Sequence, residues 1–346
     1  MRSLNICIDL PGRINHGLWS PERGESRWAQ NLARDLAERG HKVTGYSYMF
    51  GGPSWGCCPA VPGVRLAHYN EIRNTGPYDV FIDNCFWEGK ALAVEARLNV
   101  IGKYGSEEWT KELPDNCLVA SPFDSVWLPQ HPKARWLPVP FWKELGESKF
   151  DKTAAFIPSR DCCSQGEQRA KAAATTLEAV KTLGATRHHF IMALLQNNGI
   201  AFIETPAREG ELELRNKYQI VGLAKALSSP LFYGPIPLNK IEETLNSCKL
   251  NVPLINPAIV IEAAIQGVPS ILWEDSTFDF LKGIGKEAGC HLNYSSSPEE
   301  IQEILTRLWT DREQYDKLLE LLRDAVQPFN WDNALEIWEK EVCERL

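Results

Sequence analysis

The sequence lacks the features that mark several classes of protein. No run in its 346 residues approaches the roughly 18 consecutive apolar residues of a membrane-spanning helix. It contains no D-x-D pair of carboxylates for a metal–diphosphate, no H-E-x-x-H and no C-x-x-C. The sequence therefore predicts no membrane span and no metal site.

An excess of positive charge is also absent, since 45 Asp and Glu outnumber 37 Lys and Arg and the formal net charge is −8. This balance gives no global basic field to hold nucleic acid. A DNA partner is therefore not favoured, although a local basic groove stays open as an alternative. Its candidate members are Arg23, Arg27, Lys90, Lys103 and Lys111.

A secretory signal segment is not evident, because the first residues run directly into the strand-like stretch 4–8. We therefore expect a cytoplasmic protein. In that reducing compartment the ten cysteines are expected to be free thiols.

The first part of the chain shows a strand, a helix and a second strand. Residues 3–10 form an apolar run, and an amphipathic pattern from Trp28 to Ala37 predicts a helix that ends at Gly40. Residues 41–46 resemble the next strand, so this is a βαβ unit of a parallel sheet. Gly12, Gly17 and Gly24 in the intervening loop permit close approach of a phosphate, but an ordinary loop is the alternative.

A polar stretch at 143–152 separates this part from a second α/β run. That run begins with a strand at 154–158, continues with a predicted strand at 189–194, and reaches a capped helix at Ser297. We predict an α/β protein with two doubly wound domains facing across a cleft. The predicted bounds are 1–148, 149–328 and a terminal helix at 329–346 that returns to the first domain.

The stretch from Asn251 to Trp273 carries the main candidate side chain. Glu262 lies among apolar residues, in a predicted helix that is followed by a buried strand at 270–273. A carboxylate is costly to bury without a partner, which makes Glu262 a site candidate. The alternative is a Glu on the solvated side of a half-buried helix.

Three stretches resemble the retaining, nucleotide-sugar-dependent glycosyltransferases of GT-B fold. Their order along the chain supports the resemblance more than any single motif does. The first is Gly24-Glu25-Ser26 with Leu32-Ala33, Leu36, Gly40-His41 and Val43. The second is Glu262-Ala263-Ala264 with Gly267-Val268-Pro269, and it is similar to the end of the family's Glu-x7-Glu motif. The third is Phe329-Asn330-Trp331 with Ala334.

The resemblance implies a metal-independent transfer of a sugar from a nucleotide diphosphate to an acceptor hydroxyl, without a cofactor. In this interpretation Glu262 holds the ribose, Arg160 neutralises the diphosphate, and Asn84 stands where the family usually has a catalytic His. The implied donor-binding residues are Gly12, Arg23, Gly24, Ser159, Gln165, Gly234, Ile236, Asn256, Ala258 and Ile259. The acceptor is a saccharide, a small molecule or a modified nucleobase.

The sequence departs from the family at several sugar and diphosphate contacts. Leu254 stands where the family's motif has its first Glu. Gln165 stands where the family has a Lys, and Arg23 stands where its first loop has a Gly. Pro257 removes a backbone N–H that often reaches the sugar. A non-catalytic relative that binds a nucleotide or a partner protein is therefore the alternative function.

Overall fold

The computed structural model divides the chain into two compact units, Met1–Lys143 with Gln327–Leu346, and Glu144–Val326. The structure describes residues 2–10, 13–15, 18–20, 24–46, 61–67, 69–83, 94–102, 115–121, 133–157, 191, 194–195, 198–204, 231–232, 238–253, 257–274, 279–293 and 296–346.

A parallel sheet forms the centre of the first unit. Its strands are β1 (Asn5–Asp9), β4 (Lys42–Tyr46), β5 (Arg65–Leu66), β6 (Tyr78–Asp83), β7 (Ala96–Gly102), β8 (Cys117–Ser121) and β9 (Ala134–Trp136). They lie in the order β5-β4-β1-β6-β7-β8-β9, and each neighbouring pair is parallel. The chain first winds towards β5 and then returns past β1, so the topological switch point lies between β1 and β6.

Helix α1 (Gly24–Glu38) covers part of this sheet. Its apolar face is fully buried at Ala29, Leu32 and Ala33. Gly40 has φ 89, Gly40 N–H donates to Ala37 O, and His41 N–H donates to Leu36 O. This pattern is a Schellman motif, which confirms the predicted helix end.

The segment before α1 differs from the prediction. It contains an antiparallel pair, β2 (Arg13–Asn15) and β3 (Leu18–Ser20), where the sequence predicted an open loop. The helix also begins at Gly24, ahead of the apolar periodicity, because polar first-turn residues add nothing to that pattern. A second helix of this unit, α2, spans Tyr69–Thr75.

The second unit has its own parallel sheet. Its strands are β10 (Ala154–Ile157), β11 (Ala201–Glu204), β12 (Leu231–Phe232) and β13 (Cys248–Asn251), in the order β12-β11-β10-β13. This order repeats the winding of the first unit, so the switch point lies between β10 and β13. Helices with described bounds in this unit are α3 (Leu238–Asn246), α4 (Pro257–Ile265), α5 (Ile284–Glu287), α6 (Pro298–Thr310) and α7 (Arg312–Val326).

Two predicted strands of this unit were wrong. Ile191, Leu194 and Leu195 are helical, because short apolar runs do not distinguish a buried helix from a strand. Residues 270–273 are buried but make only isolated bridges, at Ser270 to Asn251 and at Trp273 to Leu292. The start of α6 was predicted correctly, since Ser297 and Glu300 form a reciprocal capping box.

The terminal helix α8 (Trp331–Cys343) belongs to the first unit and contacts α1. Asn330 caps its first turn, and the indole N–H of Trp338 donates to Pro138 O at 2.8 Å. The segment before it lies beside residues 141–143. Phe141 N–H donates to Phe329 O at 2.9 Å, and Trp331 N–H donates to Trp142 O at 2.8 Å.

Helix α1 also carries a buried carboxylate, Asp35, which is 1% exposed. Arg34 Nε donates to its Oδ1 at 2.8 Å, while Oδ2 has no hydrogen-bond partner within the described ranges. Burial raises the pKa of Asp35 to about 6, although the charges of Arg34 and Lys143 act in the opposite direction. The charged form is therefore costly in neutral solution.

Candidate functional site

The candidate site of the second unit is the carboxyl edge of its sheet. Ligands of open α/β sheets bind outside the carboxyl ends of the strands at the switch point. Here these ends are Ile157 of β10 and Asn251 of β13, and the two strands are neighbours in the sheet, with Asn251 paired to Phe156. The segments that follow β10 and β13 are therefore the ones positioned to contact a ligand.

Helix α4 follows β13 directly at this edge. It begins at Pro257, six positions after the end of the strand. Proline is favoured at the start of a helix, because its missing N–H has no intrahelical partner there. The other first N–H groups of a helix attract anions, so the start of α4 is suited to a phosphate or a carboxylate.

Ile259, a predicted donor-binding residue, is the third residue of α4. Its side chain is 5% exposed and belongs to a hydrophobic cluster with Phe156, Leu245 and Ala263. Only its main chain is therefore suited to contact a polar ligand. Ala258 is the second residue of α4, in the same turn.

Glu262 lies in the second turn of α4, and its side chain is half-buried. Its neighbours Ile261 and Ala263 are fully buried, as is most of the helix. The structure thus places the carboxylate at the border of an apolar helix near the switch point. This location differs from both a core position and a solvated helix face.

A buried polar pair joins the end of β13 to the segment that follows α4. Asn251 and Ser270 are both 0% exposed, and Asn251 Nδ2 donates to Ser270 Oγ at 2.8 Å. The same amide is 3.5 Å from Ile259 O. Nearby, the indole N–H of Trp273 donates to Pro253 O at 2.9 Å, which fixes the chain before the loop to α4. This pair was not predicted from the sequence, because nothing in the spacing of residues 251 and 270 indicates contact.

Gly267 ends α4 in a second Schellman motif. It has φ 83, Gly267 N–H donates to Ala264 O, and Val268 N–H donates to Ala263 O. A Cβ atom built there would lie 1.8 Å from Glu147 O. Gly146 N–H donates to Ile265 O at 2.7 Å in the same region, so Gly267 has a clear structural role.

The carboxyl edge of the first unit contains two buried carboxylates that the sequence analysis did not select. Asp9 ends β1 and is 0% exposed, and Asp83 ends β6 and is 3% exposed. The register pairs Ile8 with Ile82, so the two Asp residues follow on neighbouring strands. The signal in the sequence was the repeated Ile-Asp that ends both apolar runs.

Most other predicted site residues lie outside the described residues. These are Gly12, Arg23, Asn84, Ser159, Arg160, Gln165, Gly234, Ile236 and Asn256. Gly24 is the first residue of α1, at the amino-terminal end of that helix. The structure therefore brings Ala258, Ile259 and Glu262 together on one helix.

The described residues contain no group of three His, Cys, Asp or Glu side chains that could hold a metal ion. None of the helices they form is long and apolar enough to cross a bilayer. Cys7, Cys117, Cys248, Cys290 and Cys343 are free thiols.

Comparison with solved structures shows the fold. The chain is similar to HepE from Anabaena in complex with UDP and glucose, with a TM-score of 0.62 and 14% identity over 98% of this chain and 100% of that one. It is similar to sucrose-phosphate synthase from Thermosynechococcus elongatus, with a TM-score of 0.62 and 13% identity over 97% and 98% of the two chains. It is also similar to WaaG, a glycosyltransferase involved in lipopolysaccharide biosynthesis, with a TM-score of 0.57 and 13% identity over 97% of this chain and 99% of that one.

No family model and no curated protein matches the sequence. The structural similarity nevertheless extends over almost the whole chain. The α/β fold of this protein, with its parallel sheets, is that of the GT-B glycosyltransferases. At these sequence identities the similarity establishes the fold and not the reaction.

Proposed function

We propose that this protein is a glycosyltransferase, which moves a sugar from a nucleotide diphosphate to an acceptor hydroxyl. The position of α4 carries the proposal. The helix begins at the switch point of the second sheet, and it presents Glu262 at its half-buried border. A helix start and a nearby carboxylate provide the two groups that a nucleotide diphosphate needs, donors for phosphate and an acceptor for ribose hydroxyls.

We infer the following division of roles. Glu262 accepts hydrogen bonds from the ribose, and main-chain N–H groups at the start of α4 bind the donor. Arg160 neutralises the departing diphosphate, where negative charge develops in the transition state. Transfer is metal-independent, because these groups replace a cation, and it proceeds with retention. Retaining chemistry of this kind needs no strong protein nucleophile, so Leu254 in place of a Glu does not prevent it.

The comparisons support a uridine nucleotide as the first donor to test. HepE was solved in complex with UDP-glucose as well as with UDP and glucose. The acceptor in this protein is a saccharide, a small molecule or a modified nucleobase. An experiment on the donor alone can be done without knowing which of these it is. Many sugar transferases hydrolyse their donor slowly when water replaces the acceptor, so donor hydrolysis is a suitable first readout.

The test is a hydrolysis screen over a panel of nucleotide sugars, paired with calorimetric titration of UDP, GDP and ADP. We expect one nucleotide to bind and the matching sugar donors to be hydrolysed. Binding without turnover over the whole panel would support the non-catalytic alternative. An absence of both binding and turnover would refute the proposal.

The variant Glu262→Ala tests the central residue. A hydrogen bond to a charged group contributes about 1.5–3 kcal/mol, so nucleotide affinity should fall by roughly 10- to 150-fold. The melting temperature should change little, because the side chain is only half-buried. Glu303→Ala is the matched control, since Glu303 is exposed on α6 of the same unit. A large loss of stability with intact binding would show that Glu262 is structural.

A further inference from the structure

A buried acid, a cation and an indole meet where α1 lies beside the start of α8. Asp35 on α1 is 1% exposed, and Arg34 Nε donates to its Oδ1 at 2.8 Å. The guanidinium carbon of the same Arg34 lies 5.3 Å from the centroid of the Trp331 ring. Trp331 is the first residue of α8. One guanidinium therefore contacts both the buried acid and the indole.

Trp331 is also in contact with the segment 141–143. Lys143 Nζ is 3.4 Å from the centroid of the same ring, and it lies 3.6 Å from Glu38 Oε2 of α1. The main chain of Trp331 is held there too, because its N–H donates to Trp142 O at 2.8 Å. Cations within about 6 Å of an indole centroid are attracted to the ring. The indole thus connects α1, the segment 141–143 and α8.

Asp35 is incompletely satisfied for a buried carboxylate. Within the part of the chain that the structure describes, its Oδ2 has no hydrogen-bond partner. Burial raises the pKa of Asp35 to about 6, and the charge of Glu38 acts in the same direction, while Arg34 and Lys143 oppose the shift. The charged and the neutral form of this side chain are therefore both populated near pH 6.

The other elements that contact α1 also carry charged groups. On α8, Asp332 lies 3.0 Å and Glu339 lies 3.6 Å from the guanidinium of Arg39, which follows α1. The strands β1 and β4 carry Asp9 and Lys42, and Lys42 is exposed. Arg39 thus pairs with the acids of α8, whereas the acid of α1 pairs with its own neighbour in the helix.

The two forms of Asp35 differ in how firmly they hold Arg34. A hydrogen bond to a charged carboxylate is roughly twice as strong as one to a neutral group. Asp35 is enclosed, whereas the side chain of Arg34 is 32% exposed and can turn into water. We propose that Asp35 is a proton-operated switch, in which the charged carboxylate holds Arg34 over Trp331 and the neutral acid releases it. The proton is exchanged with solvent.

The sign of the pKa shift separates this switch from an ordinary surface ion pair. An ordinary pair has an acid with a lowered pKa, so acidification weakens both the contact and the fold. The pKa of Asp35 is raised, and the stability it contributes is lost as the pH rises through about 6. Acidification should therefore release Arg34 from Trp331 while it stabilises the first unit.

An NMR titration of the full chain from about pH 4 to about pH 8 tests the switch. The carboxyl carbon signal of Asp35 should titrate with a midpoint near pH 6. The indole N–H signal of Trp331, assigned with the variant Trp331→Phe, should shift with the same midpoint. A carboxyl midpoint near the ordinary value of 3.8, or an indole signal that does not follow the carboxyl, would overturn the proposal.

Two variants separate the acid from the group that transmits its charge. Asp35→Asn keeps the size of the side chain and removes the buried charge, so the indole signal should stay at its low-pH position throughout the titration. In Arg34→Gln, Asp35 should still titrate, but most of the shift at Trp331 should be lost. A full shift in Arg34→Gln would show that the carboxylate acts on the indole without Arg34, which contradicts the release.

Glu336→Gln is the matched control. Glu336 is exposed on α8, the helix that begins with Trp331. Its replacement removes one negative charge from the same helix without touching Asp35 or Arg34. Both midpoints should therefore stay as they are in the unmodified chain. A displaced midpoint of the indole signal alone would mean that the signal reports the charge of α8, and the switch would be refuted.

Discussion

Two glycines of the second unit share one backbone conformation but differ in their surroundings, which allows a sharp test of the Gly267 motif. Gly267 and Gly283 both have φ 83. A Cβ at Gly267 would lie 1.8 Å from Glu147 O, whereas a Cβ at Gly283 would meet nothing within 4 Å. Alanine at either position carries the left-handed conformational penalty, about 1–2 kcal/mol.

Only Gly267→Ala adds a steric cost. The segment containing Glu147 must move, and it is held by Gly146 N–H on Ile265 O at 2.7 Å and Lys149 N–H on Gly267 O at 3.1 Å. Losing two such bonds costs about 2 kcal/mol in addition. We therefore expect Gly267→Ala to lower the free energy of unfolding by about 3–4 kcal/mol and Gly283→Ala by about 1–2 kcal/mol.

Urea unfolding followed by hydrogen exchange of peptides from 144–152 and α4 measures the effect within the second unit. This local readout is needed because a chain of two units does not have one well-defined global transition. Equal losses for the two variants would refute the reasoning, since the contact with Glu147 would then contribute nothing.

Three further predictions concern charge and chemistry. Asp35→Asn should stabilise the first unit by about 1–3 kcal/mol at pH 8 and hardly at pH 4, since a raised folded pKa means that stability is lost as the pH rises through about 6; calorimetry at each pH checks this, and an equal effect at the two pH values would contradict it. Arg160→Ala should lower turnover by about 10²–10³-fold and nucleoside affinity far less; an unchanged rate in donor hydrolysis would remove Arg160 from the mechanism. Treatment with EDTA should leave donor hydrolysis unchanged, and recovery with Mg²⁺ after a loss would contradict metal independence.

Local signals in the sequence predicted local structure well. The amphipathic period and Gly40 predicted α1 and its end, and the Ser-Pro-Glu-Glu run predicted the capped start of α6. These features depend on residues within one or two turns of each other. The parallel sheets followed from the strand–helix–strand order, because parallel strands need such crossovers.

Features made by distant residues could not be predicted in this way. Asn251 meets Ser270, and His41 meets Glu339 from the opposite end of the first unit's sequence. Spacing carries no information on such pairs, because they form only when separate elements pack together. The prediction of a strand at 270–273 was wrong for the same reason. Whether an apolar run forms a strand depends on the segments it pairs with, and not on its composition alone.

The motifs behind the family resemblance separate into two kinds once their contacts are known. Gly40 and Gly267 end helices with positive φ, and Phe329 and Asn330 lie at the start of α8. The contacts of these residues therefore serve the fold. Glu262 is different, because it lies half-buried on α4, the helix on which the proposed donor site depends. The chemical part of the resemblance therefore depends on few residues, which is why nucleotide binding by Glu262→Ala is more informative than any further comparison of folds.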